Sequence, residues 1–469
     1  MFEEQGSFFE EDYNSHVERF EEMLKKNESY FFDVDVFEYL AEHYLEDGNL
    51  KLALKALEVG ITQHPSSAII IIRKAQLHAS TGRIRSGHEL LNHAESLDPK
   101  NDEIYLTRAS LYSQEHKHEE AIKNYLTAIE LCDGAAIDDL YLDLAFEYEN
   151  LEKYDLAIQA LENALQINPD NEGSLYEIGY CYEQSDRIED CINFCVEFLN
   201  DHPYSFTAWY IMGNSYSHLG KFEQAITSYD YCTVIKEGFS SAYFNLANCH
   251  IQLEQYDLAI ELYEKTLKHE SPQAITHMYM AECFEKIDDD EKALLHYNKA
   301  INLDHELGDA LLGKAIVKDK MGMTSESVTI LKKAIELEEK NPEYWYVLGE
   351  AYEKLDQYSE AKECYELVVW LEPDNIDAWL DLSNLITELE STKNATEIIK
   401  KALELNADSE ELMYRLVAYL LELGNTEGAE NELEKALNTN YEAHKKLFNY
   451  YPEAKNINAI LKLIESFRS

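Results

Sequence analysis

Prolines recur at nearly constant intervals along this sequence of 469 residues. Pro65, Pro99, Pro169, Pro203 and Pro373 are separated by 34, 70, 34 and 170 residues, which are multiples of 34 apart from one excess of two. Because proline interrupts a helix, evenly spaced prolines indicate evenly spaced helix ends. The spacing therefore predicts a long array of helical repeats, although the length alone would suggest about three compact domains.

Small residues follow the same period at two places in each repeat. Twelve repeats fit the sequence, beginning at residues 34, 68, 102, 138, 172, 206, 240, 274, 308, 342, 376 and 410. The eighth position is alanine or glycine in ten of them, and the twentieth is alanine, glycine, serine or cysteine in all twelve. The distance between two packed helices depends on the side chains at their contact. The pattern therefore predicts two antiparallel helices in each repeat, which cross at positions 8 and 20.

Large side chains occupy other fixed positions. The fourth position is aromatic in most repeats, and the eleventh is often tyrosine. Positions 4, 7, 8 and 11 form one helical stripe, and positions 20, 24, 27 and 30 form another. The short polar turn between the two helices often contains a glycine, which supplies the positive φ that ends the first helix. These glycines are Gly48, Gly82, Gly220, Gly322 and Gly424.

The combined pattern, W/Y-x-x-L-G/A-x-x-Y followed by A-x-x-x-Y/L-x-x-A and a proline, resembles the tetratricopeptide repeat. Residues 206–239 and 342–375 match it almost position for position, and the resemblance covers about residues 34–443. It implies an all-α fold, a right-handed superhelical α-solenoid of antiparallel helix hairpins. A pentatricopeptide array is the nearest alternative, but its longer period and its RNA partner fit neither the spacing nor the charge here.

The ends of the sequence depart from the repeat. We expect residues 1–12 to be a mobile acidic segment, residues 13–33 to form an N-terminal capping helix, and residues 34–441 to form the twelve repeats. Residues 442–469 are expected to form a degenerate hairpin that caps the C-terminal end, because terminal repeats need a polar outer face. One further hypothesis places residues 1–12 on the second repeat, where Arg73 and Lys74 form a local positive patch.

The net charge of −51, from 91 acidic and 40 basic residues, restricts the partners of this chain. Nucleic-acid binding rests mainly on contacts between basic side chains and phosphate, so we expect no nucleic-acid partner. The charge either attracts a basic partner or only keeps the chain in solution, and the sequence leaves both explanations open. No apolar run is long enough for membrane insertion. The N-terminus lacks the features of a secretory signal. Together with eight cysteines that form no dense disulfide framework, this predicts a cytoplasmic protein.

The sequence contains no motif for catalysis or for cofactor binding. A phosphate loop, a dinucleotide-binding glycine pattern and a G-x-S-x-G elbow are all absent from it. Cys191 and Cys195 are four residues apart, but they lie at positions 20 and 24 of the buried stripe, where free cysteine acts as a small apolar residue. His116 and His118 lie in a predicted turn and are expected to be solvated. We therefore expect no metal, no cofactor and no enzymatic activity.

The resemblance also implies where a partner would bind. In tetratricopeptide proteins the first helix of each hairpin lines a concave groove, mainly through positions 2, 5, 9, 12 and 13. Asparagine there can hydrogen-bond the backbone of an extended peptide, and aromatic rings add contact area. The candidate partner-binding residues are Tyr176, Tyr180, Tyr210, Asn214, Phe244, Asn245, Asn248, Met278, Tyr346 and Asn384.

These features predict an adaptor or scaffold that holds a segment of another protein in the groove. The partner is expected to be a protein or peptide, with a basic or extended segment. Two alternatives remain: a self-assembling structural solenoid, and an accessory subunit that positions a separate catalytic chain. The sequence predicts neither the identity of the partner nor the oligomeric state.

Overall fold

The structure is a computed structural model that describes residues 15–132, 134, 137–271 and 273–468. These residues form α-helices, short 3-10 turns and connecting loops, and none of them lies in a β-strand. The chain divides into two compact units, the first ending at Glu237 and the second beginning at Gly238. Residues 1–12, for which we predicted a mobile segment that could contact the second repeat, lie outside the described part of the chain.

The first unit consists of one leading helix and six consecutive helix hairpins. Its helices are α1 (residues 15–26), α2 (Val34–Glu46), α3 (Leu50–Gln63), α4 (Ala68–Ser80), α5 (Ile84–Leu97), α6 (Asp102–Gln114), α7 (His118–Leu131), α8 (Ile137–Glu149), α9 (Tyr154–Ile167), α10 (Glu172–Gln184), α11 (Ile188–Asp201), α12 (Phe206–His218) and α13 (Phe222–Ile235).

The second unit consists of six further hairpins and two short terminal helices. Its helices are α14 (Ser240–Gln252), α15 (Tyr256–His269), α16 (Ala274–Lys286), α17 (Asp290–Leu303), α18 (Gly308–Lys320), α19 (Thr324–Leu337), α20 (Pro342–Lys354), α21 (Tyr358–Leu371), α22 (Ile376–Leu389), α23 (Thr392–Leu405), α24 (Glu410–Glu422), α25 (Thr426–Thr439), α26 (Lys445–Tyr450) and α27 (Asn458–Ser466).

The first helix of each hairpin begins at or next to the position that the sequence period indicates. The one difference is α8, which begins at Ile137 rather than at residue 138. Most first helices have an asparagine or serine before their first residue, and in six of them its side chain accepts a hydrogen bond from a backbone N–H of the first turn. These residues are Asn101, Asn171, Ser205, Asn341, Asn375 and Ser409. Such side chains satisfy N–H groups that have no partner within the helix.

The turn inside eleven of the twelve hairpins uses a left-handed residue, and the turn between α22 and α23 does not. The five predicted glycines all adopt the left-handed conformation, with φ between 70° and 80°. In six other hairpins a residue with a side chain takes the same conformation, with φ between 55° and 59°, and most of these are acidic. They are His116, Glu152, Asp186, Glu254, Asp288 and Asp356. The turn geometry therefore belongs to the repeat, and glycine is its least strained occupant rather than its requirement.

Small residues at position 8 make room for large rings at position 24. Gly213 faces Tyr229, and a Cβ atom added to Gly213 would lie 2.5 Å from Cε1 of the ring. Gly349 faces Tyr365 in the same way, at 2.7 Å. Both tyrosine rings are almost completely buried. The two helices of a hairpin thus approach closely at position 8, and the tyrosine of the second helix fills the space beside that contact.

At each described end of the chain, apolar side chains pack against the neighbouring hairpin. Phe20 and Met23 of α1 are buried against the first hairpin, where the Phe20 ring lies 6.1 Å from that of Phe32. At the other end, Ile460 and Ile464 of α27 join the core of the second unit. This terminal segment contains two short α-helices and two 3-10 turns rather than a regular hairpin.

Candidate functional site

The predicted binding residues lie on the first helices of the hairpins, and the surface that these helices present within each unit is called the first-helix face of that unit. In the first unit this face includes Tyr176 and Tyr180 of α10 and Tyr210 and Asn214 of α12. The rings of Tyr176 and Tyr210 meet edge to face, with centroids 6.3 Å apart. Tyr180 is 45% exposed. The structure therefore brings these four predicted residues together on two neighbouring helices.

A small cavity of about 200 Å³ opens between α10 and α12. Tyr176, Tyr180 and Asn214 line it together with Glu183 and His218. Burial raises the pKa of Tyr176 to about 12, so its hydroxyl stays protonated at neutral pH. The cavity thus combines ring surface with hydrogen-bonding groups, as peptide-binding surfaces do.

The predicted asparagines are held by tyrosines of the second helix. The Tyr229 hydroxyl donates to Oδ1 of Asn214 over 2.7 Å, and the Tyr263 hydroxyl donates to Oδ1 of Asn248. Each tyrosine lies at position 24 and each asparagine at position 9, fifteen residues earlier. Sequence reasoning missed these pairs. The available signal was a tyrosine at position 24 together with an amide at position 9.

In the second unit, aromatic rings surround the predicted residue Phe244. Its ring centroid lies 5.5 Å from that of Tyr263 and 5.9 Å from that of Tyr279. The Tyr263 and Tyr279 rings stack at 6.2 Å. Asn245 follows Phe244 on α14 and is half-buried. Phe244, Asn245 and Asn248 therefore share one helix beside a ring cluster.

Met278 was predicted to line the groove, and this prediction is wrong. Its side chain is only 5% exposed and belongs to the buried face of α16. Methionine is unbranched and flexible, so it fills gaps between neighbouring elements. Rings at the same position of other repeats, such as Tyr210 and Tyr346, remain half-exposed.

The remaining predicted residues contact acidic or hydroxyl groups. The Tyr346 hydroxyl donates to Oδ2 of Asp381 over 2.7 Å. Asn384 is exposed on α22, and its Oδ1 lies 3.4 Å from the Tyr419 hydroxyl, which donates to it. These two residues therefore lie in separate polar contacts of the second unit.

Tyrosine–carboxylate pairs recur in the second unit, and the sequence did not reveal them. The Tyr297 hydroxyl donates to Oε2 of Glu285 over 3.1 Å, and the Tyr365 hydroxyl donates to Oε2 of Glu353 over 2.9 Å. Both carboxylates lie at position 12 of a first helix. Position 12 was among the groove positions of the family, but the tyrosines that contact it come from the second helix.

Burial and neighbouring acids raise the pKa of several carboxyl groups on this face. Burial, Glu285 and Asp309 raise the pKa of Glu282 to about 7, against a smaller opposing effect of Lys286. Burial is also the largest cause of the raised pKa of Glu350 and of Asp381. Burial has removed part of the hydration of these carboxylates, and no opposite charge compensates for that loss.

Two of the lysines at position 13 on this face, Lys320 and Lys354, are paired with other acids. Lys320 contacts Asp288 at 2.6 Å and Asp290 at 2.9 Å, both from the preceding hairpin. Lys354 contacts Asp319 in the same manner. These pairs leave Glu282, Glu350 and Asp381 outside the salt bridges formed by the described residues.

The remaining sequence candidates for chemistry have structural partners. Cys191 and Cys195 are buried and form no disulfide. His118 contacts Glu147 through Nδ1 at 2.8 Å. Within the described ranges, no three His, Cys, Asp or Glu side chains gather as metal ligands would.

Two further expectations can be compared with the structure. Arg73, assigned to a positive patch, contacts Glu38 and Glu103 at 3.2 Å each, so this charge is neutralised by its neighbours. Among the described helices, none combines the length and the apolar character that a bilayer span requires.

Family comparisons cover most of the repeat array. The family described as cilia and flagella-associated protein 70 C-terminal domain matches residues 197–416. The family of anaphase-promoting complex, cyclosome, subunit 3 matches residues 138–232. The tetratricopeptide repeat itself matches residues 102–133.

Individual relatives match shorter stretches. The TPR repeat-containing protein MJ1428 of Methanocaldococcus jannaschii is 28% identical over 130 residues, which are 28% of this chain and 22% of that protein. The protein O-mannosyl-transferase TMTC1 of Homo sapiens is 22% identical over 161 residues, or 34% of this chain and 18% of that protein. The matched region thus spans about a fifth of the length of these curated relatives.

Solved structures with similar helix arrangements include YrrB, described as a TPR protein with an unusual peptide-binding site. It is 18% identical, and the match covers 40% of this chain and 96% of that chain with a TM-score of 0.35. The Cut9–Hcn1 hetero-tetramer of the APC/C is 13% identical, with coverage of 81% and 95% and a TM-score of 0.40.

Proposed function

Since this chain belongs to the tetratricopeptide-repeat family, we propose that it is a protein-binding scaffold whose first-helix face holds a basic, extended segment of a partner protein. The observation that carries the proposal is a set of carboxyl groups of the second unit with raised pKa values, namely the half-buried Glu282 and Asp381 and the more exposed Glu350. Their raised pKa values indicate that each would gain from a nearby cation.

A lysine or arginine of the partner supplies such a cation. Its ammonium or guanidinium group forms charge-assisted hydrogen bonds with the carboxylates, and these are stronger than bonds between neutral groups. The rings of Tyr279 and Tyr346 beside these carboxylates offer faces on which a cation or an alkyl chain packs. The excess of negative charge over the whole chain speeds the approach of a basic segment.

The first unit contributes a different kind of contact. Tyr176, Tyr180 and Tyr210 present ring surface and hydroxyls beside Asn214, and the cavity of about 200 Å³ lies among them. Such groups bind a peptide backbone without demanding a particular charge. We therefore propose that the first unit by itself binds uncharged extended segments, and that the second unit by itself binds basic ones.

The scaffold role is also supported by the family descriptions. One of the matched families is named for a subunit of the anaphase-promoting complex. That description favours a second candidate function, in which the chain is an accessory subunit that positions a separate catalytic chain. Neither function requires catalytic residues in this chain. The cysteines do not form the dense disulfide framework of a small secreted domain, which fits the reducing cytoplasm, the location that we propose.

Binding of a short labelled peptide rich in arginine and lysine tests the proposal by fluorescence anisotropy. The variant Glu282→Gln/Glu350→Gln/Asp381→Asn removes three negative charges and keeps side-chain size. We expect it to bind the peptide at least about tenfold more weakly than the unaltered chain, because charge-assisted bonds contribute about 1.5–3 kcal/mol each.

The matched control is Glu339→Gln/Glu404→Gln/Glu434→Gln, which makes the same change of charge at exposed positions of the same unit. We expect the control to bind nearly as well as the unaltered chain. Equal weakening by both triple variants would mean that only the net charge matters, and would contradict a site on the first-helix face.

A further inference from the structure

The hairpin formed by α18 and α19 lacks the large side chains that fill other hairpins. Leu311 occupies its position 4, which is aromatic in most repeats, and Lys318 occupies position 11, which is often tyrosine. Position 7, which is aliphatic in most repeats, is Lys314. Two adjoining cavities of about 470 and about 390 Å³ lie here, and Lys314 and Ile330 line both of them.

These cavities together are called the lysine pocket. Its apolar walls come from α17, α18 and α19, and its positive charges come from three lysines. The residues that define it are Lys314, Lys318, Lys333, Ile301, Leu311 and Ile330. They occupy positions of the repeat other than those of the first-helix face, so the pocket is a separate feature of the second unit.

The charge of the pocket is only partly balanced. Lys318 contacts Glu326 at 3.0 Å. Lys314 and Lys333 form neither a salt bridge nor a side-chain hydrogen bond with any described residue. Burial, Lys318 and Lys333 together lower the pKa of Lys314, against a smaller opposing effect of Glu326. A partly desolvated ammonium group without an anion is unfavourable, and it is unexpected in a chain with 91 acidic residues.

The third hairpin shows how the repeat balances a cation at the same position. Arg108 lies at position 7 of α6, and its Nη2 donates to Oε2 of Glu95 over 2.7 Å and to Oδ1 of Asn92 over 3.4 Å. The Tyr105 ring packs beside the guanidinium group, whose Cζ lies 5.6 Å from the ring centroid. A carboxylate and a ring thus surround this cation.

The corresponding places around Lys314 are occupied differently. Asn298 precedes Lys314 by the same number of residues as Asn92 precedes Arg108, and it lines the pocket. By the same spacing, Ile301 replaces the carboxylate of Glu95, and Leu311 replaces the ring of Tyr105. The pocket therefore keeps the amide and the cation but has neither an anion nor a ring at these two places, while Glu326 and Glu336 line other parts of it.

We propose that the lysine pocket binds an acidic side chain of a partner protein, presented beside an apolar residue. The carboxylate of the partner takes the place that Glu95 has around Arg108, and the apolar side chain fills the space between Ile301, Leu311 and Ile330. A peptide fits this site better than nucleic acid, which is anionic along its whole length and is repelled by the charge of the chain.

The test uses the full chain and a short fluorescent peptide in which glutamate is flanked by leucine. We measure its anisotropy at near-physiological salt, with a glutamine version of the peptide as the uncharged probe. Lys314→Met keeps the length of the side chain and removes its charge, and Ile301→Glu supplies the carboxylate from within the chain. Both are expected to weaken binding at least about tenfold, as for loss of a hydrogen bond to a charged group. Lys340→Met, at an exposed position after α19, is expected to bind normally.

Leu311→Trp gives an independent measure, because it fills the pocket as the aromatic residues of other repeats do and leaves every charge in place. It too is expected to prevent binding, with helix content and melting temperature retained. Binding that persists unchanged in Lys314→Met and Ile301→Glu overturns the proposal. So does equal binding of the glutamate and glutamine peptides.

Two further outcomes would also overturn it and would identify another occupant. If deletion of residues 1–12 strengthens binding of the peptide about tenfold, the pocket is occupied by the acidic N-terminus of this chain. If inorganic phosphate displaces the peptide as effectively as unlabelled peptide does, the pocket is a general anion site.

Discussion

Five hairpins have a tyrosine at position 24, and four of these tyrosines donate a hydrogen bond to the first helix of their own hairpin, but to different residues. In the hairpins that begin at Phe206 and Ser240, position 9 is asparagine and accepts the hydrogen bond. In those that begin at Ala274 and Pro342, position 9 is glutamate, and the tyrosine donates instead to a glutamate at position 12. The four pairs are Tyr229–Asn214, Tyr263–Asn248, Tyr297–Glu285 and Tyr365–Glu353.

The comparison shows that one packing arrangement supports two kinds of surface. Where position 9 is an amide, the tyrosine bond is neutral and the first-helix face carries little charge. Where position 9 is Glu282 or Glu350, the tyrosine hydroxyl donates no hydrogen bond to that carboxyl group. Burial raises the pKa of the carboxyl group there. A change at one position of the repeat thus converts a neutral surface into one that favours cations.

The largest effect is expected from the shared part of the arrangement. Gly213→Ala would place a Cβ atom 2.5 Å from Cε1 of Tyr229. We expect a loss of about 1–3 kcal/mol in the free energy of unfolding, since overpacking a core costs about this much. Chemical denaturation monitored by circular dichroism measures it.

The second variant Gly213→Ala/Tyr229→Leu separates this effect from a loss of helix flexibility. Leucine is shorter than tyrosine. Gly213→Ala should therefore lower the free energy of unfolding less in the Tyr229→Leu background than in the unaltered chain. If Gly213→Ala is neutral or stabilising, as expected for a helical position without close neighbours, the close approach of ring and backbone does not limit the size of the side chain at position 8.

An intermediate effect is expected from the hydroxyl groups that distinguish the hairpins. Tyr365→Phe removes the donor to Glu353 and leaves a half-buried carboxylate without it, whereas Tyr229→Phe removes the donor to the amide of Asn214. Hydrogen bonds to charged groups contribute about 1.5–3 kcal/mol and those to neutral groups about 0.5–1.5 kcal/mol. We therefore expect Tyr365→Phe to lower the free energy of unfolding more than Tyr229→Phe does.

Equal losses in the two variants would show that the carboxylate pair is no stronger than the amide pair. A nuclear magnetic resonance titration adds a second measure, because the Tyr365 bond lowers the pKa of Glu353 against the effect of burial. The pKa of Glu353 should therefore rise further in Tyr365→Phe.

The smallest effect concerns pH. The pKa of Glu282 is about 7 in the folded chain and 4.5 in the reference state. Its protonated form therefore contributes stability that is fully present below pH 4.5 and is lost as pH rises through 7. Glu282→Gln, which stays neutral, should be more stable than the unaltered chain by about 1 kcal/mol at pH 8, after allowance for solvent screening, and should lose this advantage towards pH 4.

His296 titrates with the opposite sign, since burial and nearby lysines lower its pKa to about 4. It affects both proteins alike and cancels in their difference. Glu291→Gln on the exposed surface of α17 makes the same substitution elsewhere in the unit and is the control. A constant difference between Glu282→Gln and the unaltered chain from pH 4 to 8 would contradict the raised pKa.

Much of the fold followed from the sequence because its causes are local and periodic. Proline, glycine and small residues at fixed spacing indicate helix ends and helix crossings, and the first helices begin where this spacing places them. The turn glycines were recognised for the same reason. Acidic residues that adopt the same left-handed turn, such as Asp186 and Asp356, carry no such signal.

The candidate site followed less completely, because it depends on which side chains of other helices reach the first-helix face. Asn214 was correctly placed on α12, but its partner Tyr229 lies fifteen residues away on the second helix. Met278 has the same position as Tyr210 and yet is buried. The unpaired charge of Lys314 becomes evident only when the residues around it are compared with those around Arg108.

The central claim is that carboxylates with raised pKa values on the first-helix face bind a basic partner. The most direct test is the affinity of an arginine-rich peptide without histidine at pH 5.5 and pH 7.5, measured for the unaltered chain and for Glu282→Gln/Glu350→Gln/Asp381→Asn. A bound cation favours the ionised carboxylates, so the affinity of the unaltered chain should rise with pH. Each carboxyl group that must lose its proton on binding should contribute a rise of about tenfold per pH unit. The triple variant should show a much smaller rise. An identical rise in the two proteins would contradict the claim.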